Sequence, residues 1–118
     1  MKYSATLTIP ASTPNTSPVI KDFTIGEQFI TGVDIFFPNG CAGLCWVQIV
    51  ANGNVILPAL GSPDTFFHGE GHIIYSGRYK LQDFPSSNPA GIKVSAVGYN
   101  DDDTYDHHPI INIDTEGE

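Results

Sequence analysis

Residues 27–60 hold three strand-like runs in succession, parted by two glycine-containing turns, and this arrangement restricts the chain to antiparallel sheet. In the first run Phe29, Thr31, Val33, Ile35 and Phe37 share one parity, apolar apart from Thr31. That alternation predicts the core-facing side of a half-buried strand. Pro38-Asn39-Gly40 breaks it, because Pro cannot donate to a ladder and Asn-Gly accepts positive φ. Leu44 to Val50 is almost continuously apolar, which predicts a strand covered on both faces and puts Trp46 in the core. Asn52-Gly53 turns the chain again, and Val55-Ile56-Leu57 runs until Pro58.

The flanking segments repeat the pattern. Tyr3, Ala5, Leu7 and Ile9 alternate with Lys2, Ser4, Thr6 and Thr8, which predicts a strand with the first set inward. Residues 10–18 contain Pro10, Pro14 and Pro18, so they form a stiff link: a crossover, or an arm lying on a neighbouring subunit. Val19–Ile25 is a second strand. Beyond the polar stretch 58–65, Phe66-Phe67 opens an aromatic, glycine-rich segment. Strands are expected at 72–75, after Gly77 and Arg78 at 79–81, at 92–100 and at 109–114; 115–118 is expected to be a flexible acidic tail. No stretch of ten residues has helical spacing. Eight or nine short strands predict one all-β domain over residues 1–118, an antiparallel β-sandwich with a jelly roll favoured over an immunoglobulin-like order. The Cys…Trp…Cys spacing of immunoglobulin domains is absent, since Cys41 and Cys45 both precede Trp46.

Charge narrows the partners. Five Lys and Arg stand against thirteen Asp and Glu, a net charge of −8 that repels a phosphate backbone and an anionic membrane surface alike. Nucleic acid and membrane are therefore not expected as partners. No basic segment followed by an apolar one marks a secretory signal, and no apolar run reaches the ~20 residues that span a bilayer. A tight turn would let Cys41 and Cys45 form a disulfide; without a secretion signal the reading is free thiols, Cys45 in the core and Cys41 in a turn.

Two polar groups could carry chemistry. Asn100 to His108 packs four carboxylates, an amide and two imidazoles into nine residues. Asp101, Asp103 and Asp106 are the candidate ligands of a calcium ion, the one cofactor the chain suggests, although the loop lacks the glycine and glutamate of an EF-hand. A solvated acidic turn is the plainer reading. His68, Glu70 and His72 would lie on one side of an extended segment, as in His-x-His metal sites of β-sandwiches, but Gly69 and Gly71 interrupt them. No nucleophile elbow, phosphate loop or dinucleotide fingerprint is present, so no enzyme is expected. Trp46, Phe66, Phe67, Tyr75, Tyr79 and Tyr99 could instead form a sugar-stacking platform, and Phe66-Phe67 could pack against another chain.

Thr8-Ile9-Pro10-Ala11 with its Pro/Thr-rich link, Gly32-Val33, Phe37 to Leu44, and the closing run Gly98 to His107 resemble small single-jelly-roll virion proteins of tailed phages. The resemblance spans most of the chain as pattern. It implies a capsid decoration or cement subunit without catalytic residues, made in the host cytoplasm and located in the virion. Such a subunit is a homo-oligomer, trimer favoured, that binds the major capsid protein or another virion protein through loops. Its interface would include Pro10, Pro14, Pro18, Phe66 and Phe67. The alternative is a carbohydrate- or host-surface-binding module assisted by calcium.

Overall fold

The computed structural model describes residues 2–38, 40, 41, 43–51, 54–58, 66–81 and 92–116. Among the described residues nine strands follow one another: β1 Lys2–Thr6, β2 Val19–Ile25, β3 Phe29–Phe37, β4 Cys45–Ala51, β5 Asn54–Leu57, β6 Phe67–His68, β7 Gly71–Lys80, β8 Ile92–Asn100 and β9 Ile110–Glu116. They form two sheets, one in the order β1-β9-β3-β7 and one in the order β2-β8-β4-β5, with β6 also paired to β4. Every pairing is antiparallel. The chain is thus an all-β sandwich.

Pairing runs from the outside inward along the sequence. β1 lies with β9, β2 with β8, β3 with β7, and β4 with β5 and β6. Rolling this nested hairpin over itself adds the two remaining contacts, β3 with β9 and β4 with β8. The inward faces meet in one core. Val33, Ile35, Phe37, Ile111 and Ile113 come from the first sheet, and Phe23, Ile25, Val47, Ile49, Val94 and Ala96 from the second. Each buried Val, Ile or Phe is worth about 1.5–3 kcal/mol relative to exposure, so this seam holds the sheets together. Leu7 and Ile9 extend β1 into the same core, fixed by Leu7 N–H to Pro109 O and Ile9 N–H to His107 O, both 2.9 Å.

Three local features differ from simple alternation. On β3, Ile30 faces Thr115 while Gly32 faces Asp114, so Thr31 is an extra residue in a β-bulge. The bulge switches parity. Ile30 is fully buried, and Thr31, which strict alternation sends inward, is only half-buried and its hydroxyl reaches the Asp114 carbonyl at 3.4 Å. On β7 the strand runs unbroken through Gly77 and Arg78, with one extra residue between Ser76 and Tyr79. Gly77 accommodates the Tyr75 side chain there: a β-carbon at 77 would sit 2.8 Å from the Tyr75 hydroxyl. On β4, Cys45, Val47, Ile49 and Ala51 take the core side, so Trp46 projects from the opposite face. The continuous apolar run arises because that outer face is itself covered, with Gln48, Ser95 and Val97 buried.

Residues 10–18 form the crossover from the first sheet to the second. Their first half is docked on the body, by Thr13 bridging to Asn100 and by Ser12 N–H to Asp102 O at 2.8 Å. Pro14, Asn15, Thr16 and Ser17 form the exposed tip, closed by Ser17 N–H to Pro14 O at 3.1 Å.

Gly98 of β8 lets the β1 extension lie close. A β-carbon there would be 2.6 Å from Ile9 Cδ1, 3.2 Å from the Trp46 carbonyl oxygen and 3.3 Å from Leu7 Cδ1. Gly98→Ala is expected to lower stability by about 1–3 kcal/mol through overpacking, read as a shift of the urea midpoint at unchanged slope.

Candidate functional site

Most of the chemistry-bearing side chains gather at one end of the sandwich, where residues 9–13, 41, 44–46, 66–68 and 99–107 meet. Asn100 is the hub. It is buried at the end of β8, and its side-chain N–H groups donate to the carbonyls of Tyr105 at 3.0 Å, Ile9 at 3.2 Å and Pro10 at 3.4 Å. Its Oδ1 accepts from Asp102 N–H at 2.9 Å, and its own N–H donates to Thr13 O at 3.0 Å. This donor–acceptor pattern fixes the orientation of the amide.

Asp102 continues the network. Its Oδ1 accepts from the N–H groups of Thr104 at 2.9 Å and Tyr105 at 3.2 Å, and its Oδ2 lies 2.9 Å from Nε2 of the buried His107. The Thr104 N–H first, and then His107, hold its carboxyl below the usual range. Asp106 Oδ1 accepts from Ala11 N–H at 2.9 Å, while Asp103 Oδ1 accepts from the Thr104 hydroxyl at 3.0 Å. Asp101 is exposed, and its N–H donates to Leu44 O at 2.8 Å. Two of these acids therefore organise backbone, as Asp does in turns. Among the described residues no group of three or more His, Cys, Asp or Glu side chains is placed to hold a metal ion.

The histidines separate. His68 stacks on Trp46 in the second sheet, centroids 3.9 Å apart, whereas His72 lies on the first sheet, 2.9 Å from Asp34 Oδ1 and tilted over Phe36. The two are thus on different layers. Cys41 and Cys45 are both free and fully buried, with a hydrogen bond between their side chains. Burial pushes the Cys41 thiol up and raises Cys45 to about 12, so neither is a nucleophile at neutral pH.

The aromatic residues also divide. Trp46 is flanked across its two neighbouring strands by His68 and by Tyr99, the latter parallel at 5.6 Å, and Phe66 meets Tyr99 edge-on at 4.9 Å. Burial first, then Asp101, raises the Tyr99 hydroxyl above its ordinary value. Tyr75, Tyr79 and Phe67 pack instead against the core. A sugar platform needs ring faces turned to solvent, and the faces of Trp46 are turned to its neighbours. No family model, curated protein or solved structure matches the chain.

The sequence places Asn100 in the acidic cluster as one polar group among several, and an Asn opening such a turn is the available signal for its role as hub. Asn100→Ala is expected to cost about 1–3 kcal/mol, because three backbone carbonyls lose a donor, while Asp101→Asn and Asp103→Asn stay within about 0.5 kcal/mol in chemical unfolding. Asp102, whose folded pKa is depressed, contributes stability above its unfolded pKa of about 4, lost as pH falls through the lower folded value. Thermal melts from pH 7 to pH 2 should therefore show a shallower acid decline for Asp102→Asn than for the wild type.

Proposed function

We propose that the chain is a non-enzymatic structural subunit of a tailed-phage virion, a jelly roll that decorates or cements the capsid shell through its loops. The observation that carries the reading is the nested pairing of first strand with last, second with next to last, and so on inward. Nesting of this kind supports a jelly-roll plan, an architecture used in viral capsid domains. An immunoglobulin-like order keeps strands A and B in one sheet, whereas here β1 and β2 lie in different sheets.

The polar end of the sandwich supports a structural role. Asn100, Asp102 and Asp106 fasten the crossover 10–13 to the acidic loop, and the buried thiols are held protonated. What this leaves outward is an acidic rim, with Asp101, Asp103 and Asp106 exposed, and the exposed tip at Pro14 to Ser17, suited to a basic surface on a shell protein. Assembly as a homo-oligomer, threefold on a shell axis, fits the reading, with Pro10, Pro14, Pro18, Phe66 and Phe67 as the contacts to examine.

Density-gradient fractionation of phage particles from the source of the gene tests this. The chain should migrate with the major capsid protein in a fixed ratio, and recovery solely among unassembled proteins would overturn the proposal.

A further inference from the structure

Both sheets are open, and their edges are not guarded alike. Natural edges are blunted by charge, shortness, bulges or proline. β1 has five residues and opens on Lys2; β2 carries Lys21 and Asp22 at its centre; β5 has four residues and stops at Pro58. β7 has ten, and no described strand pairs with its outer side. Its guards are all at one end, where the irregularity near Gly77 is followed by Arg78 and Lys80. From Gly71 to Gly77 the edge has no Asp, Glu, Lys or Arg and no proline, and at its middle Ile74 is 69% exposed.

We propose that a second copy of this chain pairs with β7, joining two four-stranded sheets into one continuous sheet across a twofold axis at Ile74. An antiparallel pair related by an axis normal to the sheet matches residues of like parity, so the register must be centred on a residue. Centring on Ile74 sets Ile74 against Ile74 of the other copy, His72 against Ser76 and Gly71 against Gly77. The unguarded stretch is symmetric about that residue and is used completely. Beyond the ends of that stretch Glu70 of each copy and Arg78 of the other fall on the same side, opposite charges at both ends. Arg78 already lies over the Phe29 ring at 3.9 Å and 3.8 Å from Glu116, so it is positioned at the rim. Centring nearer Lys80 would instead bring the cations of two copies together. Twofold pairing also closes the edge and limits growth to the pair. This inference does not rest on the capsid reading.

Light scattering coupled to size exclusion on the full chain tests it, with Ile74→Lys and Ile74→Cys beside the wild type. The wild type should run at twice 12.7 kDa, or at an even multiple if threefold contacts also form. Ile74→Lys should halve that mass with an unchanged circular dichroism spectrum. In glutathione disulfide, the Ile74→Cys thiols of two copies should be oxidised to an intermolecular disulfide, with glutathione released; Cys41 and Cys45 are buried and give little background. A wild-type monomer, an odd-numbered assembly, a mass that Ile74→Lys leaves unchanged, or no cross-link from Ile74→Cys would each overturn the proposal.

Discussion

The pairing of β1 with β9 is the constraint on which the remaining structure depends. Thr6 lies opposite Ile110 and Lys2 opposite Asp114, so almost the whole chain is enclosed between the two partners. Each further pairing nests inside that one. Loop closure grows only slowly with length, but the entropy must be lost before the contacts form, and such topologies fold slowly for that reason. What compensates is the seam of Ile, Val and Phe between the sheets, which no single hairpin could bury alone. Secondary structure and core are therefore a single cooperative event here.

The excess of acid would oppose compaction if its carboxylates merely faced one another. Several do not. Glu27 Oε1 accepts from the Tyr3 hydroxyl at 2.9 Å and the Thr115 hydroxyl at 2.7 Å, and those two bonds lower its pKa. It thereby ties the β2–β3 connection to both β1 and β9. Asp106 likewise ties the β8–β9 connection to the β1–β2 crossover through Ala11 N–H, and Asp22 takes the Ser95 hydroxyl at 2.6 Å. The acids that remain outward give the surface its sign, while these few act as fasteners between segments distant in sequence.

Much of this was legible in the sequence, and the failures have physical causes. Alternation marked β1, β2 and β9, which have a period of two, although β9 runs on to Glu116 with Thr115 buried where a flexible tail was expected; β8 was also marked, although both of its faces are covered. Thr31 broke the parity of β3, because a single extra residue barely alters the composition of a strand while inverting Phe29 and Ile30 before it. Gly77 looked like a stop on β7; glycine in a strand also marks close approach, and here it lies beneath a tyrosine ring. Trp46 looked like core because its neighbours are apolar on both sides, which periodicity alone cannot separate from a covered outer face. The acidic loop was visible as a cluster, but the buried amide that organises it was not, since a hub is defined by partners some ninety residues away.

The bulge on β3 divides that strand into two phases. From Gly32 onward its residues keep time with β9 in one frame, and Phe29 and Ile30 keep time in another. Length variation in this family of folds is usually absorbed by turns. Here the slack is stored inside a central strand, flanked on both sides by partners. Deleting Thr31 would merge the two frames and leave Ile30 opposite Thr115 on the core side, whereas pairing Thr31 without the bulge would carry Thr31 and Phe29 inward and turn Ile30 out, every turn keeping its length. The strand's spelling is thus constrained in a way that substitution patterns alone would not reveal.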